Sequence, residues 1–278
     1  TVPLPLGVLL ACAAALSVAH VGHARLAGPW EGLLQEVAPW EEPGDVFFLN
    51  RPEETAAFSE AYRGSAWVVG LHEGEGALSE RAVWWLERTL HPGARVWWVP
   101  DWRPPEQSAV ERVLMDRAFR ALDCSAGDRR AVLYVVPEAG SLAAQDVEAP
   151  VPGVGRLARA AWTRRVRAGQ PLLVELVWEA GVVPPMEDFV VYVHLLDAAG
   201  TRLAGHDAGP ALWLRPTSTW RPGEVVTDRH AFPVPRGLSP GTYFLKAGLY
   251  RGATGERLAT ASGEDGVLLG EVEVLPAP

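Results

Sequence analysis

The longest uninterrupted apolar stretch of the chain lies near its start, over residues 2–21, with the sequence VPLPLGVLLACAAALSVAHV. The first charged side chain is Arg25, and polar positions are interspersed throughout the rest of the chain. About twenty apolar residues are enough to cross a bilayer as a helix. The pattern therefore predicts a transmembrane helix over residues 1–24, and we expect the chain to be the C-terminal part of a larger membrane protein.

Two other interpretations of this apolar run are open. A secretory signal would end at a small-x-small site such as Gly22-His23-Ala24, but such signals begin with positive charge and none precedes Leu4. A buried core helix is the second alternative, although the length of the run and its lack of charge favour a membrane span. In the membrane interpretation, residues 2–21 contact lipid, and the following domains are extracytoplasmic parts of a cell-membrane protein.

Between residues 25 and 140, short apolar segments alternate with amphipathic ones. The strand-like segments are Val46–Leu49, Ala66–Leu71, Arg95–Pro100 and Ala131–Val136. The amphipathic segments predict helices, of which Pro105–Leu122 is the longest. Fully apolar strands separated by helices indicate a mainly parallel sheet that is covered on both faces. We therefore expect a small three-layer α/β domain over residues 25–140.

The hydrophobic pattern changes after residue 140. Residues 141–154 lose their periodicity and are interpreted as a linker, whereas residues 155–278 contain strand-like segments punctuated by Gly and Pro turns. These segments are Pro171–Trp178, Asp188–Leu196, Glu224–Val234, Thr242–Tyr250 and Gly266–Leu275. Strands at such spacing indicate an antiparallel, Ig-like β-sandwich. The expected fold class is thus α/β plus all-β, preceded by a transmembrane helix.

Composition and charge restrict the function. The chain has 278 residues, of which 48% are hydrophobic and 21% charged, as in a folded protein. Its net charge of −9 disfavours nucleic acid as a partner, because binding it needs a basic footprint. Cys12 and Cys124 are the only cysteines and lie in unlike segments, so we expect neither a disulfide framework nor a structural zinc.

The chain carries no recognisable catalytic or cofactor motif. A G-x-G-x-x-G fingerprint is absent after the first predicted strand, and His72–Gly76 lacks the Lys and the Ser/Thr of a P-loop. A G-x-S-x-G elbow is also absent. The spacing of five possible ligands does not demand a metal; they are His194, His206, Asp207, Asp228 and His230. We therefore predict no catalytic residue, no metal and no cofactor.

Asp101, Trp102 and Arg103 directly follow the third predicted strand. In an open parallel sheet, the carboxyl ends of the strands face the ligand crevice. A carboxylate, an indole and a guanidinium at that edge are suited to holding a sugar. The structural alternative is that Asp101 caps a turn before the following prolines and that Trp102 packs on the next helix.

A second candidate sugar site lies in the predicted sandwich. It consists of Trp213, Trp220 and Tyr192 with the polar side chains of His194 and Asp207. Sugar faces stack on aromatic rings, and sugar hydroxyls need hydrogen-bond partners. Strand alternation places Tyr192 and His194 on one face. The alternative is that these aromatic residues form the core and anchor loops.

Two stretches resemble a known family. Residues 167–258 contain RAGQPLLVELVWEA, DFVVYVHLLDAAGTRLAGHDAGP, PTSTWRPGEVVTDRHAFPVP and LSPGTYFLKAGLYRGATGERL. This series resembles the sandwich domain at the C-terminus of many bacterial multi-spanning glycosyltransferases. Residues 29–137, with PGDVFFLN and RVWWVPDW, resemble the α/β region that follows the last membrane helix of such proteins. Those proteins are similar to the protein O-mannosyltransferase and aminoarabinose transferase superfamily, which uses polyprenyl-phosphate sugars.

The resemblance implies a role without chemistry. The catalytic acidic residues of that superfamily lie in an early extracytoplasmic loop, so no catalytic residue carries over to this sequence. We expect a non-catalytic extracytoplasmic region of a membrane glycosyltransferase that positions an acceptor, a glycan or a lipid-linked sugar. One alternative is a structural or protein-interaction module at the membrane surface. Another is an anchored glycosidase, which would need two carboxyl groups about 5–10 Å apart in one cleft.

Overall fold

The computed structural model describes residues 30–71, 77–101, 107–183 and 185–277. These residues form an α/β unit followed by a β-sandwich, so the described chain is rich in β-structure and built from several sheets. The predicted membrane helix over residues 2–21 lies outside these ranges. Within them, no helix combines the length and the hydropathy needed to cross a membrane.

The α/β unit is built on one five-stranded sheet. Its strands are β1 (Val46–Leu49), β2 (Trp67–Gly70), β3 (Arg95–Val99), β4 (Phe119–Ala126) and β5 (Arg129–Val135). They lie in the order β2-β1-β3-β5-β4. β1 is parallel to β2 and β3, whereas β5 is antiparallel to β3 and β4. The four predicted strands are present, but the sheet is mixed rather than mainly parallel, because β4 and β5 form a hairpin at one edge.

Two helices cover each face of this sheet. They are α1 (Glu31–Val37), α2 (Thr55–Ala61), α3 (Glu80–Thr89) and α4 (Ala109–Arg117). Leu33 of α1 and Phe58 of α2 share a buried cluster with Trp97 on one face. Residues of α3 and α4 share another cluster with Trp98 on the opposite face. This is the three-layer arrangement that alternating strands and helices predict.

The segment Pro105–Leu122, predicted to be the longest helix, contains a short helix and the start of a strand. Ala118 takes an extended conformation directly after α4, and β4 begins at Phe119. β4 turns back into β5 through Gly127 and Asp128, with Gly127 at φ +62°, as a two-residue hairpin loop requires. The helix prediction was wrong because the local apolar spacing suits either element, and the pairing strand lies beyond the turn.

Among the residues that the structure describes, the sandwich has nine strands in two sheets. In chain order they are β6 (Leu142–Val151), β7 (Gly155–Thr163), β8 (Arg165–Arg167), β9 (Pro171–Ala180), β10 (Phe189–Leu196), β11 (Arg202–Ala208), β12 (Val225–Pro233), β13 (Gly241–Arg251) and β14 (Val267–Leu275). One sheet has the order β12-β9-β7-β6 and the other β11-β10-β13-β14-β8. All pairs are antiparallel except that of β14 with β8.

Alternating side chains of both sheets fill the space between them. Val191 and Val193 of β10 face this core, and Tyr192 faces outward. Trp162, Trp178 and Trp220 are the largest side chains of the core. The inward residues thus follow the period of two that a half-buried strand requires.

Residues 141–154, the expected linker, contain the edge strand β6. It pairs with β7, and the register shifts near Glu148, which takes a positive φ of 52°. The Ala, Gln and Asp residues of β6 have low intrinsic strand propensity, and Pro150 is tolerated because edge strands need not donate on both sides. Pairing with β7 therefore makes this segment a strand, and the local sequence gives little sign of it.

The outer face of the four-stranded sheet packs against β4, and we call this contact the junction. Leu173 of β9 and Ala231 of β12 belong to the same buried cluster as Phe119. Arg229 of β12 donates to the carbonyl oxygens of Met115 at 3.3 Å and Asp116 at 2.6 Å. These carbonyls end α4, where the helix dipole favours a cation. The two units therefore share a hydrophobic core, and the hydrogen bonds of Arg229 also connect them.

A buried carboxylate orders the segment that leads into β1. The Asp45 side chain is fully buried, and its oxygens accept hydrogen bonds from Arg95 Nε and Trp97 Nε1, both at 2.7 Å. Arg95 also donates to the carbonyl oxygen of Trp40 at 2.5 Å. A buried charge is tolerated when its lone pairs have partners. Asp45 thereby fixes the path of residues 40–45.

Replacing Asp45 with Ala should lower the free energy of unfolding by about 3–5 kcal/mol, because the partners of a buried ion pair are left uncompensated. Urea denaturation followed by tryptophan fluorescence measures this change. The control, Asp128→Ala, removes a carboxylate whose side chain is 93% exposed, and should change stability by about 0.5 kcal/mol or less. Equal stability losses in both variants would contradict this role of Asp45.

Candidate functional site

The residues predicted to bind a sugar do not form one open site. Asp101 lies just beyond the C-terminal end of β3, and Trp102 and Arg103 lie outside the described residues. Trp213 is 51% exposed, whereas Trp220 is 2% exposed and packs in the sandwich core. The Trp220 indole also donates to the carbonyl oxygen of Arg215 at 2.9 Å. Trp220 therefore anchors its loop, contrary to the expectation that it offers a ring face to a ligand.

The other three predicted residues meet on the outer face of the five-stranded sandwich sheet. Asp207 Oδ1 lies 3.0 Å from His194 Nε2, and the ring centroids of Tyr192 and His194 are 4.6 Å apart. The Arg257 guanidinium lies over the Tyr192 ring, and the Tyr192 hydroxyl donates to the carbonyl oxygen of Asp265. Burial raises the pKa of Tyr192 to about 12 and lowers that of His194. Both rings are covered by the protein's own side chains, so neither offers a ligand surface.

A cavity of about 570 Å³ lies at one end of the junction, and we call it the junction cleft. The segment before β1 contributes Trp40, Glu41 and Glu42 to its lining. The sandwich contributes Gln170 and Arg236. With Arg95 and Arg167, which also line the cavity, an aromatic ring, two carboxylates, an amide and three guanidinium groups therefore surround one space between the two units.

Arg236 connects the two walls of the junction cleft. Its guanidinium lies 4.7 Å from the ring centroid of Trp40 and donates to the carbonyl oxygen of Pro39. On the α/β side, Glu41 accepts a hydrogen bond from the hydroxyl of Tyr62. These contacts hold the indole and the carboxylate in place, so the polar groups of the cleft are ordered by the fold itself.

The junction cleft contains carboxylate, indole and guanidinium groups, which are the three kinds of group predicted at Asp101, Trp102 and Arg103. In the structure these groups belong to other residues. Trp40 and Arg236 belong to different units, and only the junction brings them together. One local signal was available: the run Trp40-Glu41-Glu42 stands beside a Pro-Gly turn. Arg236 lies far from Trp40 in the sequence, so no local pattern predicts that these two residues meet.

Two buried polar side chains, Asp228 and His230, and the partly buried His206 form a hydrogen-bonded chain at the sandwich edge where β11 meets β12. Asp228 accepts from Ala211 N at 2.8 Å, and its other oxygen lies 2.9 Å from His230 Nε2. The Nδ1 atoms of His230 and His206 are 2.9 Å apart. Three of the five possible ligands considered in the sequence thus meet. In the described ranges, however, no three His, Cys, Asp or Glu side chains are arranged to hold a metal ion.

Burial, reinforced by the neighbouring His230, lowers the pKa of His206 from 6.5 to about 4. Of the two facing Nδ1 atoms, one must donate and the other accept, so a further proton would place two donors face to face. His206 is therefore neutral at pH 7. Between about pH 6.5 and pH 4 the unfolded chain binds more protons here than the folded chain, so stability falls as the pH drops through this window.

Comparisons with known proteins identify no family. No protein-family model matches the chain, and no curated protein matches it. Among solved structures, the C-terminal domain of Wzt is 15% identical over 50% of this chain and 81% of its own, with a TM-score of 0.32. The CARDB domain of a Pyrococcus furiosus protein in complex with di-metal ions is 13% identical over 42% of this chain and 84% of its own, with a TM-score of 0.28.

A β-glucosidase from Listeria innocua in complex with glucose is 16% identical over 48% of this chain and 16% of its own, with a TM-score of 0.25. Structural similarity at this level carries no conclusion about the fold or the activity of this chain. The functional argument therefore rests on the geometry of its own residues.

Substituting Asn for His206 should flatten the pH dependence of stability between pH 6.5 and pH 4.5. Asn keeps a polar partner for His230 but removes the titrating group, so the variant should lose about 2 kcal/mol less than the parent over this range. Urea unfolding at several pH values measures the difference. His91→Asn, which removes an exposed histidine, is the control and should retain the parental slope. Parallel slopes for all three proteins would refute the assignment.

Proposed function

We propose that the described units are a non-catalytic part of a membrane glycosyltransferase that uses a polyprenyl-phosphate sugar, and that they hold an acceptor or glycan in the junction cleft. The observation that carries the proposal is the meeting of Trp40, Glu42 and Arg236 around one cavity. The proposed enzyme class rests on the resemblance of the sequence to bacterial multi-spanning glycosyltransferases. The membrane helix over residues 2–21, the Ig-like sandwich class and the extracytoplasmic location belong to the same proposal.

The chemistry of the junction cleft suits a saccharide. A sugar ring has apolar C–H faces, which stack on an indole, and hydroxyl groups, which need donors and acceptors around them. Trp40 supplies a partly exposed ring, and a sugar would stack on it in place of the Arg236 guanidinium that lies over it. The two glutamates supply acceptors, and Gln170 and Arg236 supply donors. A volume of about 570 Å³ falls within the usual range for small-molecule pockets.

The same cleft argues against hydrolysis. A glycosidase needs two carboxyl groups on opposite sides of the scissile bond. Glu41 and Glu42 are adjacent in sequence and belong to one wall, and Glu41 is engaged by Tyr62. The cleft therefore favours a binding role over the glycosidase alternative.

An interaction module at the membrane surface is the second candidate function. The connection between β9 and β10 exposes Val182, Val183 and Met186, and Trp213 and Val225 are exposed on the same sandwich. Exposed apolar side chains of this kind often mark contacts with a partner protein or a membrane. This role needs no ligand in the junction cleft, so a binding measurement separates the two candidates.

The proposed function is tested by titrating the whole chain, in detergent micelles, with a panel of neutral oligosaccharides. Replacing Trp40 with Ala should weaken the affinity for the bound saccharide about tenfold or more, because it removes the stacking face. Trp213→Ala removes an exposed indole elsewhere and should change the affinity less than about twofold. Isothermal titration calorimetry gives both values.

Trp40→Phe is the control for folding, because it retains a ring against the α/β core and should recover part of the affinity. If the Trp213 variant alone loses binding, the site lies at the sequence-predicted position and the junction cleft is excluded. If no saccharide binds the folded protein, the interaction module becomes the better account.

A further inference from the structure

A second cavity, of about 380 Å³, lies at the other end of the junction, and we call it the arginine cavity. It is bounded by α4, by the start of β4, by β12 and by the connection between β11 and β12. Four arginines line it: Arg112, Arg120, Arg215 and Arg229. Asp116 is the only acidic residue of the lining. Guanidinium groups therefore outnumber carboxylates in the lining itself, and carboxylates outside the lining pair with three of them.

Three of the four arginines, Arg120, Arg215 and Arg229, are held by carboxylates and carbonyls. Arg229 binds Glu175 at 3.0 Å in addition to the two carbonyl oxygens at the end of α4. Arg120 binds Asp123 at 2.5 Å, and Arg215 pairs with Glu224. A guanidinium has five N–H donors, and these bonds use three at most in each case. The side chains are therefore oriented before a ligand arrives, which lowers the entropic cost of binding.

The sandwich wall of the arginine cavity is backbone in an unusual conformation. Ala211, Leu212 and Trp213 have φ values of 50°, 55° and 70°, three successive positive values at residues that are not glycine. Such residues cost about 1–3 kcal/mol each and persist where the surroundings enforce them, often at ligand sites. Here the buried carboxylate of Asp228 binds Ala211 N at 2.8 Å and enforces the turn. The strain shapes the wall of the cavity.

The strained turn also gives the cavity an apolar side. Leu212 and Leu214 line it together with Met115 of α4. Leu214 is partly exposed, so part of this apolar side is open to solvent. A ligand that fits must therefore combine an anionic group with a small apolar one.

We propose that the arginine cavity binds a small phosphate ester, with the phosphate against the arginines and the apolar group against Leu212 and Leu214. A phosphate is favoured over a carboxylate because its oxygens point in several directions and can accept bonds from guanidinium groups that belong to different elements. This site is separate from the junction cleft, and its occupation does not depend on the function proposed for that cleft.

Phenyl phosphate is the probe for this proposal; inorganic phosphate and phenol are its separate parts, and benzoate is the matching carboxylate. The whole chain in detergent micelles should bind phenyl phosphate at one site per chain, more tightly than any of these three compounds. Benzoate binding as tightly as phenyl phosphate would overturn the choice of phosphate. The absence of saturable binding of phenyl phosphate up to about 10 mM would overturn the site itself.

Matched arginine variants locate the binding. Arg112→Gln and Arg215→Gln should each weaken phenyl phosphate binding about tenfold, since a hydrogen bond to a charged group is lost. Their controls are Arg117→Gln on the same helix and Arg221→Gln in the same connection; neither residue lines the cavity, and each should change affinity less than about twofold. Equal losses in variants and controls would reveal diffuse charge attraction and refute the site.

The folding of the variants is checked by thermal unfolding without ligand. Arg112 and Arg215 are substantially exposed, and exposed ion pairs contribute about 1 kcal/mol or less, so the variants should unfold near the parental temperature. Phenyl phosphate should raise the unfolding temperature of the parent and of both controls, but not that of Arg112→Gln or Arg215→Gln. A uniform rise in all five proteins would contradict the proposal.

Discussion

The packing of β12 and β9 against β4 is the contact on which the rest of the molecule depends. Leu173 and Ala231 pack with Phe119 in the core of the α/β unit, and Arg229 donates a hydrogen bond to the end of α4. Because this contact occupies the middle of β12, it leaves a cavity on each side: Arg229 faces one, and Arg236, beyond the strand, faces the other. Neither cavity would exist in one unit alone, since each takes a wall from both.

Two buried carboxylates shape the walls of these cavities. Asp45 fixes the path of the segment that carries Trp40, and Asp228 holds Ala211 in the turn beside the arginines. A buried charge is costly unless its partners are in place, so each carboxylate excludes other loop paths. The loops that form the cavities are thus ordered by interactions with the cores behind them, and their surfaces remain available to ligands.

Much of the fold could be predicted from the periodicity of apolar residues, and the candidate sites could not. The strands β1, β3, β10 and β13 have strong alternation or continuous apolar runs, and each lies within a residue or two of its expected position. The strands β4, β6, β7, β8 and β11 were not predicted. The strand character of β4 and β6 comes from pairing with β5 and β7. Trp220 was assigned to a ligand site because its sequence neighbours are polar, while its burial depends on both sheets.

The two kinds of architecture and the alternation of faces in the main strands can be predicted from the amino-acid sequence. They follow from local patterns, because a strand or helix must direct its apolar side chains to one face wherever it lies. The shared core of the two units, the contact between Trp40 and Arg236 and the cavity lined by four arginines arise only in the folded structure. Such meetings join residues far apart in the chain, and they depend on how the α/β unit and the sandwich pack.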